Sequence, residues 1–181
     1  NVYSDISNIN ISRIIENKNK SFVFIITSYN NEKWVYKNIK SIVDQKYPFW
    51  RIIYVDDYSE DKTIFILNKI VNLYNISEKI TIIKNSERKS QSYNRWYASK
   101  LCQDDEICCM LDGDDWLVSD PYVVSKLNNL YIKKNLLMSY GQFYYYEGDD
   151  KNMKLCGTNS YDKNDIINNN YRHKWCTQHL R

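Results

Sequence analysis

Three carboxylates crowd around one glycine at Asp112-Gly113-Asp114-Asp115, directly after the apolar run Ile107-Cys108-Cys109-Met110-Leu111. Acids this close repel one another unless a cation lies between them. Their hard oxygens suit Mg²⁺ or Mn²⁺. The apolar run reads as a buried strand, so the acids fall where a strand ends. Ligands of open α/β sheets bind beyond that edge. The stretch therefore reads either as a strand-end metal site or as an acidic turn that caps a helix.

Three other polar clusters follow apolar runs in the same way. Phe22-Val23-Phe24-Ile25-Ile26 leads into Thr27, Ser28, Tyr29 and Asn30. Ile52-Ile53-Tyr54-Val55 leads into Asp56 and Asp57, and Ile80-Thr81-Ile82-Ile83 leads into residues 84–88, which end at Arg88. Helical spacing separates them: Val35, Ile39 and Ile42 in the first interval, then Ile64, Leu67, Ile70, Val71 and Tyr74 behind Asp61 as a cap. In the third interval Tyr93, Trp96, Tyr97 and Leu101 read as the apolar face, and Asn94 and Arg95 cap the helix or face solvent. Alternating strands and helices predict an α/β fold with a mostly parallel central sheet, flanking helices and right-handed crossovers. All four polar clusters then share one edge.

Trp116 reads as packing that props the acidic turn. Asp120 and Pro121 read as N-cap and first residue of a fourth helix carrying Val123, Val124, Leu127, Leu130 and Tyr131. Residues 136–146 are β-prone, and residues 147–171 read as a polar loop or lid. Both histidines, His173 and His179, lie near the end.

The length, 181 residues, fits one domain: a polar lead-in over residues 1–20 and the domain proper over residues 21–181. A net charge of +3 without any Lys/Arg run gives no case for nucleic acid. No stretch reaches the roughly 18 apolar residues of a membrane span. Five cysteines, odd in number and without a C-x-x-C, read as reduced structural thiols in a cytoplasmic setting. The abundance of Asn, Lys, Ile and Tyr fits an AT-rich genome, viral or other.

The chain has no G-x-G-x-x-G, no G-x-x-x-x-G-K-[ST] and no G-x-S-x-G, which disfavours a dinucleotide fold of the Rossmann type, a P-loop NTPase and an α/β-hydrolase. What remains is a cleft with acids for a metal, a further carboxylate near the first strands, and Arg88. That set suits a nucleoside diphosphate.

Residues 22–30, Ile39 to Ile42 with Gln45, residues 53–63 and Leu111-Asp-Gly-Asp-Asp-Trp-Leu117, in this order and spacing, strongly resemble the GT-A glycosyltransferases of family 2. The stretch from Trp175 to Arg181 is similar to a W-x-x-S-H-L-R-T-F motif in one branch of that family. The resemblance implies a GT-A (nucleotide-diphospho-sugar transferase) fold and a metal-dependent inverting enzyme. It would move a hexose from a UDP-sugar to a saccharide or protein hydroxyl. Thr27 and Tyr29 match positions that contact uridine. Asp57 matches the one that reads the uracil edge, with Asp56 beside it, and Arg88 falls near uracil or diphosphate. Asp112-Gly113-Asp114 is the DxD motif. Mn²⁺ or Mg²⁺ would sit on Asp114 or Asp115, the remaining acids would touch ribose or donor sugar, and His179 would be a further metal or phosphate contact. The family's base, an Asp or Glu, falls beyond Arg181, with Asp162 and Asp165 as substitutes inside the chain. The acceptor side is then truncated. A non-catalytic nucleotide-sugar-binding module of a larger protein is the alternative, and a nucleotidyltransferase a third reading.

Overall fold

The structure, a computed structural model, describes residues 19–134, 136–139, 141–148, 153–156, 164, 167 and 168. The chain divides into two compact units, Asn1–Leu137 and Met138–Arg181.

The first unit runs β1 (Ser21–Ser28), α1 (Val35–Val43), β2 (Trp50–Asp56), α2 (Thr63–Tyr74), a short 3₁₀ turn (Ser77–Lys79), β3 (Ile80–Lys84), α3 (Gln91–Ser99), β4 (Glu106–Asp112) and α4 (Val123–Lys134). The four strands form one parallel sheet in the order β3-β2-β1-β4. Side chains alternate across it. Phe22, Phe24, Ile26, Ile52 and Tyr54 pack with Val35, Ile39 and Ile42 of α1 and Leu67, Ile70 and Val71 of α2 on one face. Val23, Ile25, Ile53 and Val55 pack with Ala98 of α3 on the other. β1 and β2 are thus buried on both sides, which explains why their sequences are continuous apolar runs.

Two expectations are corrected. β4 is half-buried, with Cys108 exposed, because among the described residues it is one of the two edge strands of the sheet, β3 being the other. The helix α3 is turned round: Tyr93, Trp96, Tyr97 and Leu101 are exposed, while Asn94 and Ala98 face inward. The second sheet face leaves room for a small residue there, and the inner face of α3 carries polar groups to the strand ends.

Smaller differences concern element ends. Residues 121–122 form a turn and α4 begins at Val123, with Asp120 Oδ1 accepting the Tyr122 N–H at 2.9 Å. Of the lead-in, Asn19 and Lys20 are described. The Lys20 carbonyl accepts the Tyr47 hydroxyl at 2.6 Å, and its N–H donates to Asn128 Oδ1 at 2.9 Å. In the second unit, β5 (Tyr144–Tyr145) pairs antiparallel with β6 (Lys154–Leu155), a much shorter strand than the β-prone stretch suggested.

Candidate functional site

All four polar clusters emerge at the C-terminal edge of the sheet, and backbone hydrogen bonds join them. The Asp57 N–H donates to Ser28 O at 2.8 Å, Asn85 N–H to Asp56 O at 2.9 Å and Gly113 N–H to Thr27 O at 2.9 Å. Between them lies a cleft of about 200 Å³. Thr27, Ser28, Tyr29 and Asn31 line it from the loop after β1 and Asp57 from the loop after β2. Arg88, Gln91 and Asn94 come from the segment after β3, and Asp112 and Asp114 from the end of β4.

Asp57 is the most tightly held residue of this edge. Its Oδ1 accepts from Asn85 Nδ2 at 2.9 Å and the Lys89 N–H at 2.7 Å. Its Oδ2 accepts from Arg88 Nε at 3.0 Å and the Ser90 N–H at 3.2 Å. Burial by itself would raise its pKa. Asn94, the Lys89 N–H, Asn85 and Arg88 outweigh burial and hold the carboxyl well below the usual range. Four donors fill the lone-pair positions a carboxylate offers. The Arg88 guanidinium also lies 3.4 Å over the Tyr29 ring, so Tyr29, Arg88 and Asp57 form one continuous wall.

This wall contains strain. Asn30, Tyr58 and Ser90 have φ of 51°, 67° and 73°, a region in which a bulky residue such as Tyr58 is an outlier. Asp56 folds the second of these loops: its carboxylate accepts the Ser59 N–H at 3.0 Å and the Ser59 hydroxyl at 2.5 Å. It is buried and does not line the cleft. Asp61 accepts the Thr63 N–H at 2.9 Å, as expected of a cap, and also the Glu32 N–H at 3.0 Å.

The acidic turn is positioned by a polar ridge on α1. Asn38, wholly buried, donates from Nδ2 to the carbonyls of Asp112 at 3.0 Å and Asp115 at 2.6 Å. Ser41 Oγ accepts the Leu117 N–H at 3.0 Å, and Gln45 Oε1 accepts the Val124 N–H at 3.2 Å. Trp116 stacks on Trp34 with ring centroids 5.8 Å apart, bearing out its expected propping role. At Gly113 a Cβ would meet Asn31 Nδ2 at 2.5 Å and Ser28 Cβ at 2.7 Å. Only glycine lets the turn lie this close to the loop after β1.

Asp112 is engaged from α3. Arg95 forms an ion pair with its Oδ1, and Gln91 Nε2 donates to the same oxygen at 3.0 Å. Spacing alone predicts Arg95 and Asn94 as caps or solvent-facing residues. Arg95 instead clamps the first acid of the motif, and Asn94 lines the cleft at 1% exposure. A long-range ion pair leaves no local spacing signal. The only hint was that Gln91, Asn94, Arg95 and Ala98 share one helical face.

Among the described residues, two buried polar atoms of the cleft walls, Thr27 Oγ1 and Asn94 Nδ2, have no hydrogen-bond partner, although Asn94 faces Asp57 closely enough to lower its pKa. Such atoms in a native fold call for an explanation, a ligand among them.

Residues 23–180 match the model described as Glycosyl transferase family 2. The chain belongs to glycosyl transferase family 2. An uncharacterized glycosyltransferase of Haemophilus influenzae is 26% identical to this family 2 chain over 134 residues, 74% of the chain and 51% of the relative. The Escherichia coli protein WfaP, named as a UDP-Glc:alpha-D-GlcNAc-diphosphoundecaprenol beta-1,3-glucosyltransferase, is 31% identical over 123 residues, 66% of the chain and 45% of its own length. The chain thus spans about half the length of these curated relatives. Among solved structures, Staphylococcus aureus TarS 1–349 in complex with UDP-GlcNAc superposes with a TM-score of 0.54 at 23% identity, over 61% of the chain and 31% of TarS. The mannosyltransferase PcManGT of Pyrobaculum calidifontis, in complex with GDP-Man and Mn²⁺, gives 0.56 at 16% identity, over 69% and 39%. These likenesses establish the GT-A fold.

Family 2 membership raises the question of the cation. Among the described residues no group of three or more His, Cys, Asp or Glu side chains is arranged to hold a metal. Asp112 and Asp114 nevertheless bring two carboxylates to one cleft. That donor set fits a Mg²⁺-like ion, which keeps waters and takes one or two carboxylates plus substrate phosphates rather than a closed protein cage. Asp115 does not line the cleft; its carbonyl is held by Asn38. His179, Asp162 and Asp165 lie outside the described residues.

Proposed function

We propose that this chain is the donor-binding part of a metal-dependent, inverting glycosyltransferase that moves a hexose from a UDP-sugar to an acceptor hydroxyl. The observation that carries the reading is the cleft itself. The wall of Tyr29, Arg88 and Asp57 and the two acids Asp112 and Asp114 line it, with Thr27 Oγ1 and Asn94 Nδ2, which have no hydrogen-bond partner among the described residues, in its walls. WfaP, by its name, uses UDP-Glc, and TarS was solved with UDP-GlcNAc. Both favour a uridine donor.

In this reading a uracil ring lies against Tyr29 and Arg88. Asp57 accepts a base N–H, and Arg88, its most exposed partner, yields the acceptor position. Thr27 Oγ1 and Asn94 Nδ2 gain partners from the nucleoside. Asp112, fixed by Arg95 and Gln91, touches a ribose hydroxyl or the metal, and Asp114 is the principal metal ligand. The chemistry supplied there by Mn²⁺ or Mg²⁺ is neutralisation of charge on the departing diphosphate. Inversion requires in-line attack by the acceptor hydroxyl, with a carboxylate base on the opposite face of the sugar.

Titration calorimetry tests this. UDP in the presence of Mn²⁺ should bind at least tenfold more tightly than in EDTA, and Asp114→Ala should abolish the difference. Equal affinity with and without metal, or for wild type and Asp114→Ala, overturns the metal assignment. Stronger binding of GDP than UDP overturns the donor. Release of UDP from a panel of UDP-sugars with an added acceptor separates an enzyme from a nucleotide-sugar-binding module, which binds without turnover.

A further inference from the structure

Along α3, Tyr93, Trp96 and Tyr97 recur at the three- and four-residue spacing of a helix face, and Leu101 continues it in the turn just past Ser99. This stripe points away from the sheet, at 41%, 56%, 40% and 39% exposure. Tyr93 lies 5.7 Å from Trp96 and 6.3 Å from Tyr97, centroid to centroid, so the rings form one patch. Lys89 Nζ stands 5.4 Å from the Tyr93 ring centre and Lys100 Nζ 5.8 Å from that of Trp96. No acidic residue occurs within α3. Residues 84–101 hold Lys84, Arg88, Lys89, Arg95 and Lys100 against Glu87 alone, and the next acids, Asp104 and Asp105, lie in the turn beyond the helix. Arg88 and Arg95 are engaged by Asp57 and Asp112. Of the remaining charges, Lys89 and Lys100 are the two whose ammonium groups stand by the rings of this face.

We propose that the outer face of α3 is a docking surface for an anionic phospholipid bilayer. Tyrosine and tryptophan combine an apolar ring with a polar handle and settle at the level of lipid headgroups. Lysines beside them keep their stems on the rings and reach the phosphates with their ammonium groups. A second copy of the chain docked face to face would set Lys89 and Lys100 against their own equivalents. Two outward lysines are too few for a groove that tracks a nucleic-acid backbone, which argues against that aromatic-binding partner. The inner face of the same helix bears Gln91 and Asn94 of the cleft and Arg95, which holds Asp112, so docking through α3 would hold the cleft at the bilayer surface.

Co-sedimentation of the intact chain with vesicles tests the proposal, using phosphatidylcholine alone and an equal mixture with phosphatidylglycerol. The chain should bind the mixed vesicles and not the neutral ones, and the bound fraction should fall as NaCl rises. Trp96→Ser, and separately Lys89→Glu with Lys100→Glu, should each lower partitioning roughly tenfold while thermal unfolding by circular dichroism stays unchanged. Absence of binding to mixed vesicles overturns the proposal, as does equal binding by wild type and both variants. So does a concentration-dependent dimer that Trp96→Ser dissolves, or a single-stranded oligonucleotide that binds in place of the vesicles. The readout needs neither nucleotide nor metal, so it stands apart from the donor-binding reading.

Discussion

Asp57 shows how one side chain can be both a binding group and a structural one. Its carboxylate ties the end of β2 to residues 85–90 and fixes the strained backbone at Ser90. Asp57→Asn keeps the shape but removes the charge that three N–H groups and a guanidinium address. We expect a loss of about 2 kcal/mol in urea denaturation, the range of hydrogen bonds to a charged group, together with weaker UDP binding. Arg88→Ala should leave stability nearly unchanged, because Arg88 is half exposed. It should nevertheless weaken UDP binding. A variant pair with the reverse pattern would show that the wall is held from Arg88 and not from Asp57. The thiols make a second residue-scale prediction. Burial pushes Cys109 up to about 12, whereas Cys108 is exposed on the edge strand. Iodoacetamide at pH 8 should therefore label Cys108 well before Cys109, as read by peptide mass spectrometry. Equal rates would contradict the burial pattern of β4.

Helix α1 is the element that sets the acidic turn. Its apolar face, Val35, Ile39 and Ile42, fixes it on the sheet, and Asn38 and Ser41 on the adjoining face, with Gln45 just past the helix end, then hold the backbone from residue 112 to residue 124. Asn38→Ala removes the side-chain donor shared by the part-buried carbonyls of Asp112 and Asp115, of which Asp112 keeps the Asp115 N–H, and should destabilise the chain by about 1–2 kcal/mol. It should also reduce the metal-dependent part of UDP affinity, although Asn38 does not line the cleft. Denaturation and calorimetry on this variant separate that role from simple packing: a stability loss with unchanged affinity would mean that the turn keeps its place without α1. The strands were legible because β1 and β2 carry continuous apolar runs, Phe22 to Ile26 and Ile52 to Val55, and the site edge was legible because polar clusters follow each run. The face of α3 was not. Spacing reports that Tyr93, Trp96, Tyr97 and Leu101 share a face, but not that the opposite face is committed to Asp57, Asp112 and the sheet. A buried polar ridge such as Asn38, Ser41 and Gln45 is equally hidden, since the same residues on a solvated face read identically in sequence.

At the scale of the whole molecule, three carboxylates with lowered pKa values, Glu106, Asp57 and Asp61, tie separate parts of the first unit together, and their titration should govern its acid stability. Glu106 of β4 takes Arg51 of β2 in a bidentate pair at 2.7 Å for each bond, across the intervening β1. Asp57 joins β2 to the segment before α3, and Asp61 joins the loop after β1 to the start of α2. The Arg51 pair holds the Glu106 pKa below its ordinary value against burial. For Asp57 and Asp61 burial opposes ionisation, and the hydrogen bonds that they accept override it and lower both pKa values. Depressed folded-state values mean that the native state binds fewer protons than the unfolded chain. The stabilisation is therefore complete above the unfolded carboxylate values, near pH ~4, and is lost as pH falls below them. The thiols act in the opposite sense. Burial, first for both, pushes Cys102 and Cys109 up to about 12, so stability falls as pH rises beyond the ordinary thiol range of about 8.5. The unfolding free energy from urea titrations should thus be level between about pH 5 and 8 and decline on both sides, with roughly 3 kcal/mol lost by pH 3. Glu106→Gln should lower the plateau and shallow the acid limb while leaving the alkaline limb in place. An acid limb of equal depth in Glu106→Gln and wild type would mean that the clasp across β1 does not contribute to it.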